Sequence, residues 1–129
     1  MGRLLREKSI AIDLVQCSPS IRTRETAKRV FAEQKCSPRI NYLDDLYHAS
    51  PDQITQILCQ IAEPNSCVMV IGHNPGFAEF LDRVTGVCDS FPTSALAWIE
   101  LKLDRWNQFS EQTRGELKQM WRPRDLEVE

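Results

Sequence analysis

The spacing of apolar residues changes period several times along the chain, and each change predicts an element. Residues Gly2 to Ser9 are strong helix formers with no breaker after Gly2, so the chain is expected to begin inside a helix. Ile10, Ile12, Leu14 and Val15 then predict a short strand over Ile10 to Gln16, stopped by Cys17-Ser18-Pro19-Ser20. Ser18 reads as the cap of a helix from about Pro19 to Gln34, with Pro19 in the first position, where its missing N–H costs nothing. Ile21, Ala27, Val30 and Phe31 would form its inner face, with Arg22 and Arg24 in its first turns. Ser37-Pro38 breaks this helix, and Ile40 to Leu43 predicts a brief strand.

Ser50-Pro51-Asp52-Gln53 has the composition of a capping box. Ile54, Ile57, Leu58 and Ile61 follow at helical spacing, which predicts an amphipathic helix to about Ala62. Cys67 to Ile71 is continuously apolar and ends at Gly72, the pattern of a parallel strand buried on both faces. Phe77, Phe80, Leu81 and Val84 restore the helical period, with Gly86 as the C-terminal cap. Beyond it the period becomes two: Ala95, Ala97, Ile99, Leu101 and Leu103 alternate with Leu96, Trp98, Glu100, Lys102 and Asp104. A second alternating run, Glu116 to Trp121, is expected to pair with the first as an antiparallel hairpin connected by Arg105 to Arg114. Strand, helix and strand in alternation predict an α/β fold with a mostly parallel sheet and a C-terminal antiparallel hairpin.

Composition narrows the partners. The 129 residues suit one small domain, and no repeat or linker divides them. A formal net charge of -2 gives no basic excess for a nucleic-acid backbone, so nucleic acid is not expected as a partner. No stretch has the length of a membrane span and no signal peptide is evident, so no membrane association is expected. Five cysteines, Cys17, Cys36, Cys59, Cys67 and Cys88, without a C-x-x-C pair fit a reduced, cytoplasmic protein. Oligomeric state is not legible.

Two strand-to-helix junctions share one grammar, IDLVQ-CSPSIRTRET and CVMVI-GHNPGFAEF. Each delivers a polar loop to a strand's carboxyl end, where open α/β sheets bind ligands. Arg22 and His73 would converge there on one anion, the guanidinium with paired donors and the imidazole with another. The plainer reading of Arg22 and Arg24 is a solvated or ion-paired helix turn. His73, in a loop flanked by glycine and proline, is harder to read as structural. His48, beside Tyr47 and just before a helix cap, reads as a surface or capping residue at the pocket's edge. Trp98, Trp106 and Trp121 read as core and hairpin packing. A cysteine-phosphatase loop does not fit, because Cys17 to Arg22 leaves four intervening residues and Cys17 to Arg24 leaves six, one too few and one too many. With two histidines and no metal-ligand spacing, no metal is expected.

Taken together, Ser18 to Ala27, Leu46-Tyr47-His48-Ala49, Val70 to Gly76 and Phe91-Pro92-Thr93-Ser94-Ala95 resemble the histidine phosphatase superfamily, specifically the short SixA-type phosphohistidine phosphatases. The four motifs stand in the family's order and span almost the whole chain. The resemblance implies a three-layer α/β/α, phosphoglycerate-mutase-like fold and two-step phosphoryl transfer through a phosphorylated enzyme histidine, without metal or other cofactor. It implies catalytic roles for Arg22, as phosphate-binding arginine, and His73, as the second histidine. Substrate contacts fall to Ser18, Asn74, Gly76, Thr93, Ser94 and His48. The general acid is left open among Asp44, Asp45 and His48. Partners would be a phosphohistidine-bearing signalling protein or a small phosphate ester.

One departure stands out. The family opens on a strand ending in Arg-His-Gly, whose histidine is the nucleophile, and this sequence contains no such tripeptide. Either residues 1–129 are a single histidine-phosphatase domain lacking its first strand, or the chain keeps half a phosphate site and binds without turnover. In either case the strands Ile10 to Gln16 and Cys67 to Ile71 are expected to pair directly or to flank a gap.

Overall fold

The computed structural model describes residues 11–34, 38–62, 65–87 and 96–121. The expected helix over Gly2 to Ser9, the break at Ser37 and the Thr93-Ser94 loop lie outside them. Two compact units divide the chain, one formed by residues up to Ala49 with Ala62–His73, the other by Ser50–Ile61 with the residues from Asn74 onward.

The first unit contains β1 (Leu14–Cys17), α1 (Ile21–Gln34), β2 (Arg39–Tyr42), a 3-10 turn (Asp44–Leu46) and β3 (Val68–Ile71). Its strands form a parallel sheet in the order β2-β1-β3. Leu14 to Cys17 lie beside Arg39 to Tyr42 on one side and Val68 to Ile71 on the other, so the two loop-bearing strands pair directly. All four residues of β1 are buried. In β3 only Ile71 is; Val68, Met69 and Val70 are half-buried. The expected double burial of Cys67 to Ile71 is thereby corrected. Its apolar run does mark a parallel strand, but among the described residues β3 stands at the sheet's edge.

β1 starts at Leu14 and not at Ile10. Asp13 turns the chain into the sheet: its N–H donates to the Cys67 carbonyl at 2.8 Å. Its Oδ2 accepts from the backbone N–H groups of Ser66 and Cys67, each at 2.9 Å, and from the Ser66 hydroxyl at 3.0 Å. The same side chain therefore sets where β1 and β3 both begin.

Helix α1 also starts later than expected. The Ser20 hydroxyl accepts the Thr23 N–H at 3.3 Å and the Ser20 carbonyl accepts the Arg24 N–H at 3.0 Å, so Ser20 takes the capping place assigned to Ser18. The buried stripe is Thr23, Ala27, Val30 and Phe31, at helical spacing from Thr23, and α1 contacts β1. Ile21 falls off that stripe and is 77% exposed, contrary to the expectation that it faces inward.

The second unit contains α2 (Pro51–Cys59), α3 (Gly76–Thr85), β4 (Leu96–Leu101), a 3-10 turn (Trp106–Gln108) and β5 (Gly115–Trp121). The capping box is present in both directions: Gln53 N–H donates to Ser50 Oγ at 3.2 Å and Ser50 N–H donates to Gln53 Oε1 at 2.8 Å. α2 ends at Cys59, short of Ala62, because the chain tightens. Gln60 and Ile61 donate to Ile57 and Leu58, three residues back, while Ile61 stays buried. α2 and α3 pack together, with Ile54, Ile57, Leu58, Leu81 and Val84 buried and an Arg83–Asp52 ion pair at 2.8 Å. Gly86 closes α3 at φ 76°, a left-handed backbone that glycine adopts without penalty, and its N–H donates to the Asp82 carbonyl at 2.8 Å.

β4 and β5 form the expected antiparallel hairpin, with a bulge between Trp98 and Ile99. In its connection Phe109 is buried and stacks on Phe80 at 6.0 Å. Trp98 is 41% exposed and not a core residue, since it alternates out of phase with the less exposed Ala97, Ile99 and Leu101. No described helix is long and apolar enough to cross a membrane.

Candidate functional site

Parallel pairing of Cys17 with Ile71 carries the loops that follow both strands to the same end of the sheet. The Ser18 N–H donates to the Ile71 carbonyl at 2.9 Å, extending the ladder by one residue. His73 comes two residues after Ile71, and Ser18 Oγ lies 2.8 Å from its Nε2. Ser18 is fully buried, and its carbonyl accepts the Thr23 hydroxyl at 2.6 Å. The serine therefore orients the imidazole from a fixed backbone position, a task its assignment as a helix cap did not foresee.

Arg22 is exposed in the first turn of α1, and its charge reaches His73. Burial first, then His48 and Arg22, push the His73 imidazole below the ordinary histidine value, which favours its neutral form. Arg24 is engaged differently. Its Nε donates to the Pro19 carbonyl at 2.8 Å and its guanidinium lies over the Tyr42 ring at 4.3 Å, which stiffens the loop carrying Ser18.

His48 follows the 3-10 turn at φ 63°, a left-handed backbone uncommon outside glycine. Its ring centroid is 6.3 Å from that of His73. Tyr47, which stands in the motif Leu46-Tyr47-His48-Ala49 with no role assigned from sequence, lies edge-on to both imidazoles, 4.4 Å from His48 and 5.3 Å from His73. Its place in that motif was the signal in the sequence for it. Asp44 and Asp45 open the 3-10 turn and are exposed.

The remaining candidates divide between the second unit and the undescribed residues. Asn74 Oδ1 accepts the Ala78 N–H at 3.1 Å, acting at the start of α3, whose first residue Gly76 is buried. Thr93 and Ser94 lie outside the described residues. Cys17 is fully buried, its thiol donates to the carbonyls of Ser18 and Thr23, and burial pushes its pKa up, the opposite of what a thiolate nucleophile needs. Among the described residues no group of three or more His, Cys, Asp or Glu side chains could hold a metal ion.

The two strand-end loops thus meet at the carboxyl end of a parallel sheet, in the SixA-type, phosphoglycerate-mutase-like fold of the histidine phosphatase superfamily. Solved structures carrying the SixA name superpose over most of the chain. The protein from Nakamurella multipartitia matches with a TM-score of 0.78 and 26% identity, covering 95% of this chain and 77% of that one. Its namesake from Agrobacterium tumefaciens matches with a TM-score of 0.78 and 22% identity, covering 95% and 75%. A protein histidine phosphatase SixA complexed with tungstate matches with a TM-score of 0.79 and 21% identity, covering 97% and 78%. The last two likenesses concern the fold alone. In sequence, an uncharacterized protein of Mycobacterium leprae is 28% identical over 115 residues, 81% of this chain and 68% of its own. One of Mycobacterium tuberculosis strain H37Rv is 27% identical over 111 residues, 78% and 68%. No family model matches.

Proposed function

We propose that the chain carries the phosphoryl-binding half of a SixA-type phosphohistidine phosphatase site, with Arg22 and His73 as its anion ligands. The observation that carries this reading is the Ser18–His73 hydrogen bond, which joins two motifs 55 residues apart around one strand end, within reach of the Arg22 charge. Phosphoryl transfer spreads negative charge over the equatorial oxygens, and the protein's task is to position and neutralise it. Arg22 offers paired N–H donors to two oxygens, and His73 a single N–H to a third. Ser18 holds the imidazole against rotation. His48 adds an imidazole at the rim. Tungstate, bound by the structural relative, is a tetrahedral oxyanion like phosphate.

The nucleophile is the histidine of an Arg-His-Gly segment, which residues 1–129 do not contain. The 129-residue chain is expected to hydrolyse an aryl phosphate or a phosphohistidine peptide no faster than its own His73→Ala variant. Fusing an upstream strand ending in Arg-His-Gly is expected to restore turnover, and equal activity of short and extended chains would sink this account. The Ser18–His73 contact serves binding as well as turnover, and so supports a second reading, a binding module without turnover. On that reading the chain holds phosphorylated protein with an affinity that Arg22→Ala removes, and the fused segment adds nothing.

A further inference from the structure

Tyr47 has no part in the reading above, yet its ring touches both histidines of the site. Its plane stands at 77° to His48 and 67° to His73, whereas the two imidazoles are tilted by only 39° to each other. Tyr47 is therefore a wall across two imidazoles that lie side by side. Adjacent residues in extended chain point apart. Here the left-handed backbone of His48 (φ 63°) turns its ring back onto Tyr47, and such a conformation persists only where the surroundings hold it. The wall is not buried by this packing: Tyr47 remains 52% exposed. An exposed aromatic surface beside an anion-binding imidazole is built to receive a flat apolar group attached to the anion.

We infer that Tyr47 is a specificity-determining residue, favouring phosphoryl groups carried on a planar aromatic ring over those carried on an alkyl chain. This rests on the assignment of Arg22 and His73 as phosphoryl ligands. With the phosphoryl group on those two residues, the ring that bears it packs against the exposed part of Tyr47. The imidazole of a phosphohistidine and the phenyl ring of an aryl phosphate share this chemistry. An alkyl phosphate presents no face to stack.

The test is binding by calorimetry to the full chain, using inorganic phosphate, propyl phosphate, phenyl phosphate and phosphohistidine, with Tyr47→Leu and Tyr47→Phe variants. The native chain is expected to favour the two ring-bearing ligands over propyl phosphate by on the order of fivefold. Tyr47→Phe keeps that ratio and Tyr47→Leu abolishes it. A larger loss for phosphohistidine than for phenyl phosphate in Tyr47→Leu assigns the wall to imidazole, and equal losses assign it to flat rings in general; both support the inference. A native chain without ring preference, or a Tyr47→Leu variant weakened equally toward all four ligands, overturns it. In those cases inorganic phosphate binding that Arg22→Ala abolishes leaves the phosphoryl site standing. No binding of any phosphate by the native chain removes both.

Discussion

Asp13 offers the sharpest test of what places the two loops together. One carboxylate oxygen accepts three hydrogen bonds from Ser66 and Cys67, and these hold the Asp13 carboxyl below the usual range, the Cys67 N–H first and the Ser66 groups after it. Each such bond contributes roughly 1 kcal/mol net when protected. Asp13 is exposed, and solvent screening reduces the sum, so Asp13→Ala is expected to cost about 1.5 kcal/mol at pH 7. With a urea m-value of about 2 kcal/mol/M, the unfolding midpoint falls by roughly 0.7 M. Asp13→Asn keeps a neutral acceptor and should lose about half as much. The sign with pH follows from the lowered pKa: the contribution is complete above the unfolded value of about 3.9 and disappears as pH falls through the lower folded value. Urea titrations of both chains from pH 7 to pH 3 should therefore converge toward the acid end. A loss below about 0.3 kcal/mol, or one unchanged across that range, refutes the assignment of Asp13 as the clamp between β1 and β3.

Other outcomes follow from single contacts. Ser18→Ala removes the partner of His73 Nε2 and should weaken inorganic phosphate binding by roughly fivefold, the equivalent of about 1 kcal/mol, measured by calorimetry. Arg22→Ala should raise the His73 titration midpoint followed by NMR, because a neighbouring positive charge now holds it down. Since the unfolded chain binds more protons than the native one between the depressed value and about 6.5, His73 makes stability rise with pH across that window. Ser50→Ala should cost about 1 kcal/mol in denaturant unfolding through loss of the α2 capping box. Gly115→Ala should cost about 2 kcal/mol, because its Cβ would meet Leu101 Cδ2 at 2.7 Å and the Glu100 carbonyl oxygen at 2.9 Å.

Elements whose signal is local were legible in the chain. Ser50-Pro51-Asp52-Gln53 specifies a helix start by hydrogen bonds within four residues, Gly86 ends α3 by its own backbone freedom, and the apolar alternation of β4 and β5 marks their inner faces. The four motifs likewise pointed to the SixA-type fold that the structural relatives share. What escaped the sequence reading depends on competition between partners distant in the chain. Ser18 and Ser20 are both capable helix caps, and the choice fell to Ser20 because the ladder from Ile71 holds Ser18 within the sheet, where its hydroxyl meets His73. The apolar run of β3 matched a strand buried on both faces, but burial belongs to neighbours, and among the described residues β1 is the strand that has one on each side. Tyr47 was a bystander in sequence until the left-handed turn at His48 stood its ring across two imidazoles. The sequence alone thus determined which residue types and local starts and stops were available. The tertiary structure decided which serine orients the histidine and which aromatic ring faces it, because those assignments are set by strand register and long-range hydrogen bonds that no local pattern encodes.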